Sequence, residues 1–156
     1  MRSPAKIART LARGHLPGLL RVAGWPRPVP VCHATDCVGR PMVLARVGSD
    51  LARALGAVDA RSRVAAMLCV EDVAPSGLGR VKVGGWVHRL GVEEIAAARL
   101  EFAEANPVAD LLDVGAGVTM YAVEVDRVEL QCRATTIDID VDAFIAADPD
   151  PLLLPR

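Results

Sequence analysis

Two hydrophobic periods alternate along this chain, and they predict most of its elements. Residues 4–14 carry Ile7 and Leu11 four apart, on one face of a helix. Ser3 stands where an N-cap belongs, Pro4 suits the first helical position and Gly14 suits the end. Residues 16–23 then read as a strand. Pro26 and Pro28 cannot donate to a ladder, so Gly24-Trp25-Pro26-Arg27-Pro28 reads as a loop. Residues 29–35 and 42–47 flank a turn built on Asp36 and Gly39. They predict a hairpin, with 31–34 facing 43–46. A short helix over 49–55 follows, opened by Ser49 and closed by Gly56 in the left-handed conformation.

The second half is richer in strands. Residues 64–70 are apolar without a break, the pattern of a central buried strand. A loop is predicted over 74–79. Residues 80–90 alternate, with Val81, Val83 and Val87 on one face and Arg80, Lys82, Trp86 and His88 on the other. Gly84-Gly85 interrupts this strand and marks a bulge, or a place where something flat approaches the backbone. Residues 92–106 form the longest predicted helix. Glu93 and Glu94 suit its dipole, Ile95, Ala98 and Phe102 make its apolar stripe, and Asn106-Pro107 ends it. In 120–130, Tyr121, Val123 and Val125 share one parity while Val128 and Leu130 have the other. A bulge near Asp126-Arg127 reconciles them. Residues 135–141 alternate again, and 146–156 reads as an irregular tail. Seven or so strands with short connections, two or three helices and one long helix exclude a doubly wound βαβ fold. They predict an α+β protein, mainly β: an antiparallel, closed or nearly closed barrel with the long helix outside.

Composition narrows the picture. At 156 residues the chain fits one domain, 1–156. Hydrophobic residues make up 52% but aromatics only 3%, so the core is built of Val, Leu, Ala and Ile. No apolar run approaches the ~20 residues of a membrane span, and no signal-peptide pattern is present. Cys32, Cys37, Cys69 and Cys132 show no paired metal spacing and read as reduced thiols of a cytoplasmic protein, Cys69 as a small buried hydrophobe. Cys32, His33 and Cys37 lack a second ligand pair for zinc, and Asp138, Asp140 and Asp142 lack the glycine of a calcium loop. No metal is expected. The basic start, with Arg2, Lys6, Arg9, Arg13, Arg21 and Arg27 before the first acid, Asp36, reads as a solvated face. No nucleic-acid motif accompanies it. His15, His33 and His88 are isolated, and no catalytic constellation forms around them.

The one stretch with chemistry beyond packing is residues 41–56, where a strand meets Gly48-Ser49 and a short helix. Helix N–H groups can hold an anion, with Arg46 and Arg53 beside them. Ser49 reads either as a phosphate ligand or as an N-cap, the commoner job.

The stretches CHATDCVGRPMVLARVGSDLARAL, RVAAMLCV, RVKVGGWVHRL with EEIAAARLEFAEANP, and TMYAVEVDRVEL together resemble the pyridoxamine-phosphate-oxidase-like split β-barrel superfamily. That superfamily includes flavin-binding oxidoreductases and haem-utilisation proteins. The resemblance is nearest to an actinobacterial type in which such a barrel precedes a small helical domain. Here only four residues follow Pro149-Asp150-Pro151-Leu152, so that domain is expected to be absent. The resemblance implies a homodimer with FMN between subunits, bound by Arg46, Ser49 and Arg53 at the phosphate, with Lys82 and Trp86 nearby. If it is an enzyme, it is a flavin-dependent oxidoreductase. Haem binding or handling in the same cleft is the alternative, and a dimeric interaction module without cofactor a third. This chain departs by placing Asp50-Leu51 where flavin binders often carry Ser or Thr with Arg or Lys. It also has no histidine beyond His88.

Overall fold

A computed structural model describes residues 2–56, 58, 61–73 and 77–154. Helix α1 (Pro4–Ala12) begins as its sequence predicts: Ser3 Oγ accepts the Lys6 N–H at 3.2 Å and Pro4 sits at the first position. Strand β1 (Gly18–Val22) buries Leu20 and Val22 and turns Leu19 and Arg21 outward. Residues 29–35 are two strands rather than one. β2 (Val29–Val31) pairs with β1, and β3 (His33–Thr35) pairs with β4 (Pro41–Arg46). The curl of the sheet separates these pairings, so the chain changes partners at Cys32. The expected hairpin is β3–β4, with His33 opposite Val43; Val31 belongs to the other end of the sheet.

Ser49 caps α2 (Asp50–Ala54), its Oγ accepting the Ala52 N–H at 3.1 Å. Gly56 is not left-handed. The helix ends at Leu55, and the left-handed glycine here is Gly48, φ +83°, which turns the chain out of β4. β5 (Val64–Asp72), β6 (Gly79–Arg89) and β7 (Val118–Cys132) pair antiparallel in succession, with α3 (Val92–Ala105) between β6 and β7. The predicted bulge is present. Gly84 faces Arg127 and Gly85 faces Val125, which leaves Asp126 as the extra residue. β5 is buried on its inward side only; Met67 and Cys69 are half-buried on the outward side, so Cys69 is not the core hydrophobe its context predicts. β8 (Thr135–Ile139) pairs with β7 and stops short of Val141, because Asp140 caps α4 (Val141–Ala146), its carboxylate accepting the Ala143 N–H at 3.1 Å. A 3-10 turn, Ala109–Asp113, was not predicted either. Of the predicted loop over 74–79, residues 74–76 lie outside the described residues.

The strand order is β2-β1-β5-β6-β7-β4-β3, with β8 also on β7, and every ladder is antiparallel. This curled sheet is a split barrel. Its inner face packs Leu20, Leu68, Val83, Val123 and Leu130 against Leu11 of α1 and Phe144 of α4. Arg9 joins these two helices: Nη1 donates to the Phe144 and Ile145 carbonyls at 3.0 and 2.8 Å, and Nη2 to the Asp36 carbonyl at 3.2 Å. The outer face carries a separate core. There α3 packs Ala98, Phe102 and Ala105 on Met42, Leu44, Met120 and Ala122. Burial of Phe102 alone contributes about 2–3 kcal/mol. Among the described residues no helix is long and apolar enough to cross a membrane.

Candidate functional site

Helix α3 covers only part of the outer face. Among the described residues no helix lies above the outward side of β1, β5 and β6, and the strand register sets out what lies there. Leu19, Cys69, Lys82 and Glu129 stand side by side in one row across β1, β5, β6 and β7. Arg21, Met67, Gly84 and Arg127 form the next row, and Trp86 follows beside Ala65. Leu19 is 44% exposed and Trp86 46%, high for large apolar side chains on central strands. Next to these rows lies a groove of about 1040 Å³, at the upper end of the range usual for small-molecule sites. Leu19, Met67 and Cys69 line it, with Arg21, Arg80 and Lys82 as cations and Glu71 and Asp72 as acids. Pro28 and Pro30 stand at one end and His15 and Leu154 at the other.

The charges of this groove are unequal in their commitments. Arg80 Nη2 lies 3.2 Å from Glu71 Oε2. Among the described residues Arg21 and Lys82 have no ion pair and no hydrogen bond. An apolar floor with two uncommitted cations suits a flat ligand that carries acidic groups.

The turn singled out in the sequence is wired differently. Arg46 Nη2 donates to Asp110 Oδ1 at 2.5 Å and to Asp113 Oδ2 at 2.8 Å, and the Asp110 bond, then that of Asp113, raises its pKa. Arg53 donates to the Asp50 carboxylate and to the Gly48 carbonyl. Ser49 Oγ is engaged as the cap. Both arginines thus already face carboxylates. Lys82 and Trp86 are elsewhere: Arg46 lies opposite Val118 and Lys82 opposite Glu129, roughly 36 Å apart along β7 at about 3.3 Å per residue. Within one chain the structure therefore brings Lys82 and Trp86 to the open face and keeps Arg46, Ser49 and Arg53 together at a distance.

The histidines occupy three environments. His33 is buried, and burial pulls its pKa below the ordinary value; Nε2 meets the Leu16 carbonyl at 2.7 Å and Nδ1 has no partner. His88 lies near Arg40, Glu94, Arg63 and Glu124, and burial, then Arg40, lowers its pKa. His15 is exposed at the end of the groove. Among the described residues no group of three His, Cys, Asp or Glu side chains is placed to hold a metal ion.

Of the groove residues sequence reasoning selected only Lys82; Arg21, Met67 and His15 are among those it did not. The signal for them lay in β5. An unbroken apolar run is the mark of a strand covered on both faces, and here one face lacks its cover.

No family model matches the chain, and no curated protein sequence matches it. Its fold does match solved structures. A haem-binding protein from Mycobacterium smegmatis superposes with a TM-score of 0.75 at 22% identity, over 97% of this chain and 63% of that one. A putative pyridoxamine 5'-phosphate oxidase from Listeria innocua gives a TM-score of 0.51 at 10% identity, covering 74% of this chain and 88% of that one. ChuZ from Campylobacter jejuni gives 0.56 at 9% identity, covering 85% and 56%. The chain thus spans less than two thirds of the mycobacterial protein it matches.

Proposed function

From a fold shared with haem-binding and pyridoxamine-phosphate-oxidase-type proteins, we propose that this chain binds a flat, acid-bearing cofactor, FMN or haem, on the open face of β1, β5 and β6, and does so as a homodimer. The observation that carries the reading is the pair Arg21 and Lys82, uncommitted beside the apolar floor of Leu19 and Met67. FMN supplies hydride and electron transfer when bound, and haem an iron of variable ligation and oxidation state. The chain's own residues hold and shield such a group. Lys82 and Arg21 receive its phosphate or carboxylates, Leu19 and Met67 exclude water, and Trp86 offers a ring face beside it. Arg46, Ser49 and Arg53 enter this reading only across a subunit boundary, where one subunit's turn meets its partner's open face. Turnover, if FMN is the group, is of the flavin-dependent oxidoreductase type. Free thiols at Cys32, Cys37, Cys69 and Cys132 fit a reducing compartment, and the reading places the protein in the cytoplasm.

A second reading, a cofactor-free dimeric module, draws on one observation: Arg46 and Arg53 are already neutralised by Asp110, Asp113 and Asp50. Visible spectra of the purified protein with FMN or hemin added separate the two. Uptake of either chromophore, weakened tenfold or more by Lys82→Glu, is the expected result; tenfold corresponds to about 1.4 kcal/mol. Uptake of neither leaves the module.

A further inference from the structure

We infer that the outward face of α3 is a docking site for a basic amphipathic helix of a partner protein; this is independent of the cofactor reading, which concerns another face. The first argument is a second apolar stripe on α3. Its inward stripe, Ala98, Phe102 and Ala105, is buried on β4 and β7. Val92, Ala96, Leu100 and Ala103, spaced by four, four and three, form another stripe further round the helix. Val92 is 88% exposed and Leu100 72%. The 3-10 turn Ala109–Asp113 extends this surface with Leu112, 79% exposed. Ala96, Leu100, Ala103, Val108 and Leu112 line a shallow groove of about 650 Å³. A helix apolar on two sides is ordinarily covered on two sides, and a contiguous exposed apolar surface marks an interaction site. Alanines on both sides of Leu100 leave room for a partner's side chains, and anchors four and three apart match those of a helix laid in a groove.

The second argument is charge. Stepping round α3 at about 3.6 residues per turn, Glu93 and Glu104 come next to Leu100, with Glu101 and Glu94 beyond them. Glu94 is committed: it accepts the Gly91 N–H at 3.0 Å and lies 3.5 Å from Arg40 Nη1. Glu101 accepts the Cys37 N–H at 3.4 Å. Among the described residues Glu93 and Glu104 have no ion pair and no hydrogen bond. The stripe is thus bordered by uncommitted carboxylates, which lysines or arginines flanking a partner's own apolar stripe would meet. A second copy of this chain does not supply them. Its α3 brings the same four glutamates and one arginine, Arg99, so two copies face to face set acid against acid. With 14 residues in α3, the partner helix needs a similar length, roughly 20 Å.

The test is fluorescence anisotropy of the full chain with two synthetic helical peptides of the length of α3. Both carry leucines three and four apart, and one has lysine along the flank where the other has glutamate. The lysine peptide is expected to bind about tenfold tighter than the glutamate peptide, or more. Leu100→Gln with Leu112→Gln should weaken its binding about tenfold, and Glu93→Gln with Glu104→Gln about threefold. All four side chains are exposed, so both variants should keep the wild-type melting temperature. Leu152→Gln, just as exposed but on the tail, should change nothing. Equal binding of the two peptides, no saturable binding of the lysine peptide, or binding indifferent to the Leu100 and Leu112 changes overturns the proposal. The same loss in Leu152→Gln overturns it too. Light scattering addresses the other occupant. The variant with Leu100→Gln and Leu112→Gln should have the wild-type mass; a lower mass would make this face an interface between copies and overturn the partner helix.

Discussion

At the scale of single residues, the two glycines of β6 separate what the fold needs from what it tolerates. A Cβ at Gly85 would lie 2.0 Å from the Glu124 carbonyl oxygen, whereas at Gly84 its nearest neighbour is the Met67 methyl at 3.7 Å. Gly85→Ala should therefore cost about 3 kcal/mol or more, and Gly84→Ala less than about 1 kcal/mol, as denaturation midpoints would register. The sequence marked the pair as an interruption without telling them apart, because the clash lives on another strand. His33 supports a pH prediction. Burial holds its folded pKa below the ordinary 6.5, outweighing the opposing pull of the Leu16 and Ala12 carbonyls. The unfolded chain takes up a proton as pH falls through about 6.5, while the native state resists. Stability should thus be full above that value and decline as pH drops toward the lowered one. Urea midpoints at pH 8 and pH 5 should differ less in His33→Gln than in wild type. An equal difference in both would remove His33 as a cause. His88, shifted in the same direction, accounts for part of what remains.

At the scale of elements, legibility follows the range of the determining contacts. α1, α2 and α3 were readable because their caps and stripes are local. The bulge in β7 was readable because the parity of Tyr121, Val123 and Val125 conflicts with that of Val128 and Leu130 within one strand. The break between β2 and β3 was hidden, since it depends on two partners at opposite ends of the sheet. α4 was hidden because Asp140 continues the alternation of β8 while capping the next helix. What docks α4 is also non-local: the Arg9 guanidinium on the Phe144 and Ile145 carbonyls, 5.5 Å from the Phe144 ring centre. Arg9→Met should leave those carbonyls and that of Asp36 without a donor and cost about 2–4 kcal/mol. For a chain of this size that is a loss of roughly 8 °C in Tm. Proteolysis should then begin near α4; a melt within a degree or two of wild type would show that the tie is dispensable.

At the scale of the molecule, the sheet is covered on its inner side by α1 and α4 and on its outer side only in part by α3. The candidate phosphate turn was legible as a strand, a glycine and a cap, yet its charge state was not. Asp110 and Asp113, which neutralise Arg46, arrive from a 3-10 turn distant in sequence. In the proposed homodimer a second copy would complete the cover of these outer strands. A stable pair would need on the order of 1,200–2,000 Å² of buried surface, and Leu19 and Trp86 lie in the patch that would supply it. Light scattering at micromolar concentration should therefore give twice 16.5 kDa for wild type and a single-chain mass for Leu19→Glu with Trp86→Glu. A single-chain mass for wild type would sink the dimer.

Asp126 can also be regarded as a shift of reading frame. A strand is read in steps of two, inward and outward, and β7, like the shorter β4, serves both the inner core and the helix-covered outer core, here along a length of 15 residues. The extra residue changes phase midway, so that Tyr121 and Val128, of opposite parity, both point inward. Removing it would not merely shorten the strand. Every residue on one side of the deletion would exchange faces, with Met120 and Ala122 leaving α3 for the barrel interior while Tyr121 and Val123 left the interior for α3. A single missing codon would thus put the two cores out of register with each other, a greater disturbance than most substitutions within either.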